Sequence, residues 1–245
     1  MNRVIDTHVH VGTDDEGEGQ SIDELEERMR EAGITHAVIF PFSTKNLLAR
    51  SEELRLLIAG NERFIPLLRI DPLSTTKSEI ARVAKQYAGI KLHPNAQRFD
   101  IEDPRVAFIY EIANELELPI LFHTKEAQPH SHPLKAISIA QAYPKTKIIL
   151  GHFFGDSFEA MQRARTVANV YAETSIFGRS LRIKQLVHEG FDRMLFGSDS
   201  PYDDQLAALM TIRRSGISHE SYERIVSHNP AEVFSNLSSR DSQSP

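Results

Sequence analysis

The 245-residue sequence contains no cysteine, which excludes a disulfide framework and thiolate metal ligands. Any bound metal must therefore be held by His, Asp, Glu or a modified Lys. No apolar run is long enough to span a bilayer. The N-terminus also lacks the charged and apolar regions of a secretory signal, so we expect a soluble, cytoplasmic protein that does not bind membranes.

A strong excess of charge of one sign is also missing, since 28 basic and 34 acidic residues leave a net charge of -6. This balance does not favour nucleic acid as a partner, because broad binding to a phosphate backbone needs a basic surface. Hydrophobic residues make up 40% of the chain, which permits a substantial core and argues against disorder along the whole chain.

Short apolar runs alternate with longer amphipathic runs along the chain, which is the pattern of β/α units. Eight such units in about 250 residues favour a single-domain (β/α)8 TIM barrel over an open sheet. No linker interrupts the pattern, so we predict one barrel over residues 1–235 and a frayed, Ser-rich tail over 236–245. The predicted strands cover residues 3–11, 36–40, 64–70, 89–94, 119–123, 147–151, 169–174 and 193–196.

The first predicted strand ends in a His-x-His motif, His8-Val9-His10. Because strand side chains alternate between two faces, both imidazoles point to the same side and could grip one metal ion. The motif occurs often by chance, but later predicted strands also end in groups that bind metals or move protons. These are Lys91 and His93 on the fourth strand, His123 on the fifth, His152 on the sixth and Asp199 after the eighth.

The C-terminal strand ends of a barrel form its active site, so these groups are expected to meet there. Three imidazoles and one carboxylate, from His8, His10, His123 and Asp199, suit Zn2+ and also Fe2+, Mn2+ or Co2+. Bound Zn2+ lowers the pKa of its water to about 7. His152 would then serve as a general base or acid, and Asp199 could take the proton of the water.

Several segments resemble the amidohydrolase superfamily, and the resemblance runs from Asp6 to about Phe234. More narrowly, the fourth-strand segment and the Gly-Ser-Asp-x-Pro segment are similar to the amidohydrolase-2 branch, which contains the aminocarboxymuconate-semialdehyde decarboxylase-like enzymes. The matching segments are Asp6-Thr7-His8-Val9-His10, Gly89-Ile90-Lys91-Leu92-His93-Pro94, Leu121-Phe122-His123, Leu150-Gly151-His152, Phe196-Gly197-Ser198-Asp199-Ser200-Pro201 and Asn229-Pro230-Ala231-Glu232-Val233-Phe234.

The resemblance implies a (β/α)8 barrel with a catalytic divalent metal. It also implies that His8, His10, His123 and Asp199 are ligands and that His152 is catalytic. We therefore expect a metal-dependent hydrolase that cleaves a small-molecule amide, lactone or ester through a metal-activated water. The alternative is a metal-dependent decarboxylase of a small unsaturated or aromatic carboxylic acid. A homodimer is a further expectation from the resemblance.

Two basic residues near the fourth strand are candidates for binding an acidic substrate. Lys91 could bind a substrate carboxylate as a point charge or form a structural ion pair. In some amidohydrolases a lysine near this place is carboxylated and bridges two metals, which is a third reading. Arg98 follows the strand and could meet an anionic substrate, or it could be a solvated loop charge.

Three other features of the sequence have weaker functional readings. The second His-x-His motif, His130-Ser131-His132, lies in a predicted loop and is expected to form a rim or lid. A DNase-like member of the superfamily is disfavoured, because such members resemble this chain elsewhere but usually carry Glu where Lys91 stands. Nothing in the sequence supports a barrel that binds without catalysing a reaction.

Overall fold

The computed structural model describes residues 3–176 and 178–235, so the predicted tail over 236–245 lies outside the described residues. The strands are β1 (Ile5–Thr13), β2 (Gly19–Gln20), β3 (His36–Pro41), β4 (Phe64–Pro66), β5 (Leu68–Arg69), β6 (Ile90–Leu92), β7 (Ile120–Phe122), β8 (Ile148–Leu150), β9 (Val170–Glu173) and β10 (Met194–Leu195). The helices are α1 (Ile22–Ala32), α2 (Leu47–Leu57), α3 (Lys77–Val83), α4 (Ala107–Leu116), α5 (Pro133–Ala142), α6 (Gly151–Gly155), α7 (Phe158–Ala164), α8 (Ser180–His188), α9 (Gln205–Arg213), α10 (His219–Glu223) and α11 (Asn229–Val233).

The strands form the eight parallel staves of a barrel. β1 pairs with β3 and β3 with β4, while β5 to β10 pair in sequence order. β4 and β5 are two pieces of one stave on either side of Leu67, and the short β2 lies antiparallel against the end of β1. The segment after β10 returns to β1, because Phe196 O accepts from Thr7 N at 2.8 Å and Ser200 O accepts from His10 N at 2.8 Å. The predicted TIM barrel is confirmed.

Local sequence signals explain where several helices begin and end. Ser21 and Glu24 form a capping box at the start of α1, and Gly33 ends that helix in the left-handed region at φ +72°. α5 begins at Pro133, where the missing N–H of proline costs no helical hydrogen bond, and it covers the helix that the sequence pattern predicts over residues 133–142.

The sequence pattern over residues 219–235 predicts one helix, and the structure has a continuous but not uniform helical run there, over residues 219–233. It consists of α10, a wider π-type turn over Arg224–His228, and α11. Pro230 has no N–H to donate to the carbonyl four residues earlier, so the regular α-helical pattern cannot continue through this position.

Buried apolar side chains occupy two layers, one between strands and helices and one inside the barrel. The inner layer includes Leu121 and Tyr171, and strand alternation places the residues two positions later, His123 and Glu173, on the same inward side. The barrel is therefore filled by apolar side chains below and lined by polar ones at the C-terminal strand ends. Among the described residues, no helix combines the length and apolarity needed to cross a membrane.

Candidate active site

A cavity of about 310 Å³ opens at the C-terminal ends of the strands, where the titratable groups converge. A larger cavity of about 540 Å³ lies at the opposite end of the barrel, beside Ile5, His36 and Phe64. We place the site in the smaller cavity, because barrel enzymes carry their chemistry at the C-terminal strand ends. It is lined by His8, His10, Ser43, Arg69, Lys91, His93, Ala96, His123, Lys125, His152, Asp156, Ile176, Asp199 and Tyr202.

His8, His10 and Asp199 form a buried cluster whose ligand atoms all lie within 4.8 Å of one another. Asp199 Oδ1 is 3.0 Å from His8 Nε2 and 3.1 Å from His10 Nε2. The alternation of β1 turns both histidines inward, and Asp199 N donates to His8 O at 2.8 Å, which brings the carboxylate to them. The structure therefore joins three of the four predicted metal ligands.

The electrostatics of this cluster favour a cation. Burial opposes ionisation of Asp199, but His8 and His10 outweigh it and hold the pKa of that carboxyl well below its usual range. Burial lowers the pKa of His10 to about 3, so this imidazole is neutral at pH 7. The pKa of His8 is raised despite burial and the nearby Lys91, because Asp199 and Glu173 attract positive charge there. Asp199 and His10 are therefore in the forms that bind divalent metals, whereas His8 would give up a proton to the solvent when a metal binds.

His123 and His152 form a second pair beside the cluster. His152 Nε2 lies 2.7 Å from His123 Nδ1, and the His123 ring stacks on His93 with centroids 3.7 Å apart. Burial lowers the pKa of His123 to about 2 and that of His152 to about 4, so both are neutral at pH 7. His123, the fourth predicted ligand, lines the cavity but does not belong to the cluster of His8, His10 and Asp199.

Lys91 is buried in the cavity wall with its ammonium beside His8. Lys91 Nζ is 3.0 Å from His8 Nε2 and 4.9 Å from the centre of the Phe40 ring. Burial and the neighbouring Arg69 lower the pKa of Lys91 to about 7. No described carboxylate lies within ion-pair distance of it, so the structural ion pair that the sequence left open is not present among residues 3–176 and 178–235.

The loop residues predicted near the site lie away from the cavity. Arg98 is exposed, with φ +56°, and does not line the cavity. His130 pairs with Asp100 on the surface, and the His132 ring accepts from Leu134 N at the start of α5. The second His-x-His motif therefore supplies no ligand to this cluster.

Two buried charged residues of the site were missed by the sequence reasoning. Arg69 ends β5, and Arg69 Nη1 donates to Pro41 O at 2.7 Å. Its Nε and Nη2 atoms are buried without a hydrogen-bond partner in the part of the chain that the structure describes. Glu173 ends β9 and contacts both His8 and His152. Both follow the rule that found the other site residues, namely a polar residue at a strand end.

The ligand atoms of His8, His152 and Glu173 also lie within 4.8 Å of one another. The Glu173 carboxylate, however, accepts four hydrogen bonds, three at Oε1 and one at Oε2. These bonds occupy about as many lone pairs as a carboxylate offers. We therefore assign the metal-binding role to the group that contains His10 and Asp199.

A sequence model of the amidohydrolase family matches residues 5–235, which is nearly the whole chain. The chain belongs to the amidohydrolase family. This confirms the resemblance seen in the sequence motifs. Among curated proteins, none matches the sequence of this amidohydrolase.

Solved structures resemble this amidohydrolase over almost its full length. An uncharacterized TIM-barrel protein from Bordetella bronchiseptica has a TM-score of 0.80 and 16% identity, covering 96% of this chain and 99% of that chain. A dihydroxybenzoic acid decarboxylase from Polaromonas sp. JS666, with bound manganese and the inhibitor 2-nitroresorcinol, has a TM-score of 0.76 and 18% identity over 96% and 97%. A probable 2-pyrone-4,6-dicarboxylic acid hydrolase from Acinetobacter baumannii, with citric acid bound, has a TM-score of 0.72 and 16% identity over 96% and 100%.

At these identities the likeness concerns the fold. The family is one of enzymes that depend on divalent metals, and the cluster of His8, His10 and Asp199 has the donor set for such an ion. Hydrolases and decarboxylases both occur among the similar structures, so the barrel alone does not separate the two reactions.

Proposed function

We propose that this amidohydrolase is a metal-dependent hydrolase that cleaves an amide, lactone or ester bond in a small carboxylic acid derivative. The observation that carries this proposal is the state of His152, which is neutral at pH 7 and faces the cavity. A neutral imidazole can accept a proton, which hydrolysis requires of a general base.

His8, His10 and Asp199 would hold the divalent cation, with His123 as the fourth predicted ligand. Zn2+ is our first choice because neutral imidazoles and a carboxylate suit it, while Fe2+, Mn2+ and Co2+ suit the same donors. When bound, such a cation acts as a Lewis acid toward a substrate carbonyl and makes water a stronger acid. The homodimer and the cytoplasmic location stay predictions.

Proton transfer would be the task of His152. Its Nδ1 lies 2.8 Å from Ser175 Oγ and its Nε2 lies 2.7 Å from His123 Nδ1, so the attacking water would meet Nε2 in place of His123. His152 would take the proton of the attacking water and return it to the amine or alkoxide that leaves. Asp199, whose carboxyl stays ionised far below pH 7, could accept that proton in a second orientation of the water.

An acid group on the substrate would find two buried cations in the cavity wall. Arg69 offers Nε and Nη2, which lack partners among the described residues. Lys91 offers an ammonium with no described carboxylate within ion-pair distance. A guanidinium binds a carboxylate through paired N–H groups, so Arg69 would orient the substrate. Arg98 does not line the cavity, so its position does not support the role as a substrate contact that the sequence predicted.

A metal-dependent decarboxylase of an unsaturated or aromatic acid is the second candidate. The observation that favours it is Lys91, whose pKa of about 7 lets the ammonium donate a proton at neutral pH. Arg69 would hold the carboxylate that leaves as CO2, and Lys91 would protonate the carbon left behind. The dihydroxybenzoic acid decarboxylase of similar fold makes aromatic acids the first substrates to test.

The first experiment is elemental analysis of protein purified without chelator, together with the variants Asp199→Asn and His130→Asn. We expect about one divalent ion per chain in the wild type and in His130→Asn, because His130 lies outside the cavity. Asp199→Asn should lose most of the metal, since it removes the charge of the cluster. Two ions per chain would instead indicate a carboxylated Lys91 that bridges them, and no metal after reconstitution would overturn the ligand assignment.

The second experiment assays the metal-loaded protein on esters, lactones and amides of small acids and on dihydroxybenzoates. Acid production without CO2 supports the hydrolase, whereas CO2 release from a carboxylated ring contradicts it and establishes the decarboxylase. His152→Asn is the matched variant, and loss of the general base should lower kcat roughly 10²- to 10⁴-fold. Metal-dependent nicking of DNA would contradict both proposals.

A further inference from the structure

Glu173 is buried among the site residues but has no place in the reaction described above. It ends β9, is fully inaccessible to solvent, and accepts hydrogen bonds from two histidines of the site. Its Oε1 atom lies 3.0 Å from His8 Nδ1 and 2.6 Å from His152 N. Ser175 donates to the same carboxylate from Oγ at 2.6 Å and from its backbone N at 2.8 Å.

The contact with His8 determines which nitrogen of that ring carries a proton. An ionised carboxylate only accepts hydrogen bonds, so the His8 nitrogen that faces Glu173 must be Nδ1–H. His8 Nε2 lies 3.0 Å from the Asp199 carboxylate, so in the metal-free protein this nitrogen also carries a proton, in line with the raised pKa of His8. When the ring loses that proton, the lone pair is left on Nε2, because Nδ1–H stays with Glu173. Glu173 thus directs the lone pair of His8 toward the metal cluster.

The same carboxylate reaches His152 through Ser175. Because Ser175 Oγ donates to Glu173, it can only accept from His152 Nδ1, which lies 2.8 Å away. The neutral His152 ring therefore carries its proton on Nδ1 and has its lone pair on Nε2, which accepts from His123 Nδ1 at 2.7 Å. The direct bond from His152 N to Glu173 holds the backbone at this residue, where φ is +53°.

The surrounding backbone is shaped to admit this carboxylate. A Cβ atom on Gly151 would lie 3.3 Å from Glu173 Oε1 and 2.6 Å from Phe122 O. A Cβ atom on Gly197 would overlap Glu173 Oε2. Two segments that carry site residues, the one before His152 and the one before Asp199, therefore have glycine where they pass Glu173.

We propose that Glu173 is a positioning residue that sets the ring tautomers of His8 and His152 together, so that the lone pair of each neutral ring is on Nε2. The roles of the two rings as ligand and base come from the proposed function, but their tautomers do not depend on it. Ser175 is the relay to His152 alone, which makes the two halves of the network separable.

The test is ¹⁵N NMR of the histidine rings in the metal-free, full-length protein, with the variants Glu173→Gln and Ser175→Ala. The spectra are recorded over a range of pH, so that each ring is also observed in its neutral form. The neutral rings of His8 and His152 in the wild type should carry the proton on Nδ1. Ser175→Ala should leave the His8 signals unchanged and move His152 to a mixture of tautomers. Glu173→Gln should change both rings, while the control Glu126→Gln, which removes a carboxylate that bonds Ser157, should change neither.

Metal affinity gives a second readout, measured with Zn2+ in competition with a chelator. Glu173→Gln should weaken Zn2+ binding roughly 10- to 100-fold, as loss of a partner behind a ligating histidine does, and Ser175→Ala should leave it unchanged. If Glu173→Gln does not fold, the Ser175→Ala spectra decide the relay. A wild-type His152 tautomer in Ser175→Ala, or neutral rings with the proton on Nε2 in the wild type, would overturn the proposal. Nδ1–H rings with no turnover of any substrate would retain it and count against the proposed function alone.

Discussion

At the scale of single residues, the site is marked by the charged side chains that it buries. Arg69, Lys91, Glu173 and Asp199 are all buried. Such residues are almost never buried unless they are paired or have a task. Glu173 and Asp199 are paired with histidines, whereas two nitrogens of Arg69 lack a hydrogen-bond partner among the described residues.

Arg69 is therefore the residue where we expect the strongest effect on substrate affinity. Arg69→Met should raise the KM of an acidic substrate roughly 10- to 150-fold, because a hydrogen bond to a charged group contributes about 1.5–3 kcal/mol. Steady-state kinetics on the substrate found by the panel measures this. Arg98→Gln is the matched control and should leave KM unchanged, because Arg98 does not line the cavity. A raised KM in Arg98→Gln together with an unchanged KM in Arg69→Met would contradict this prediction and support the substrate contact first predicted for Arg98.

The residue scale also shows what sequence reasoning could find. His8 and His10 were predictable because strand alternation alone puts them on one face, and Asp199 because its segment matches a family motif. Glu173 and Arg69 were not found, since glutamate and arginine are usually exposed and burial depends on neighbouring staves. The partner of His123 depends on ring orientation, which no spacing in the sequence determines.

At the scale of elements, the site depends on short turns that follow the strands. α6 is a left-handed turn in which His152, Phe153 and Phe154 have φ of 53°, 50° and 61°. Each such residue costs about 1–2 kcal/mol relative to a right-handed conformation. The sequence pattern located the strand before this turn but not the turn itself, because none of these three residues is a glycine.

The turn after β10 allows a test of how tightly the elements are fitted. Gly197→Ala should lower the free energy of unfolding by about 1–3 kcal/mol, because the added methyl overlaps the buried Glu173 carboxylate. Urea unfolding measures the change. Gly178→Ala is the control, since a Cβ atom at Gly178 meets nothing within 4 Å. Equal stability of both variants would contradict the close fit around Glu173.

At the scale of the whole molecule, the buried neutral histidines make folding sensitive to acid. The pKa values of His10, His123 and His152 are lowered from 6.5 to about 3, 2 and 4. Between pH 6.5 and 4 the unfolded chain therefore binds more protons at these sites than the folded chain. As the pH falls below 6.5, the free energy of unfolding should decrease by about 1.4 kcal/mol per pH unit for each proton that the unfolded chain binds in excess of the folded chain.

Asp6 has the opposite effect, because burial raises its pKa from 3.8 to about 6. Below pH 6 the folded chain therefore binds one more proton at Asp6 than the unfolded chain, which offsets one of the protons counted above. His8, with a raised pKa, contributes a stability that is already complete below pH 6.5. Urea unfolding of chelator-treated protein between pH 7.5 and 4.5 should show the net loss. His123→Phe should make the free energy of unfolding depend less on pH, whereas the control His219→Asn, at an exposed residue, should leave the pH dependence unchanged. A wild-type stability that does not change with pH would contradict the burial of these histidines in their neutral form.

The fold as a whole was predictable from repeated short signals, because eight β/α units have few other ways to bury their apolar faces. Strand ends were less predictable, as at Leu67, where one stave is divided into β4 and β5. Hydrogen bonding between neighbouring staves decides these boundaries, and it depends on residues far away in the sequence.

The joint between the first strand and the segment after the last one is also the place where His10 meets Asp199, 189 residues away in the sequence. Asp6 reinforces the joint by accepting from Ser198 N and Oγ. The cluster therefore exists only in a molecule whose two ends have met. A nascent chain that stops short of Asp199 carries both histidines of β1 but has no metal cluster. The chain can therefore bind its metal at this cluster only after the segment that follows β10 has been made and has paired with β1.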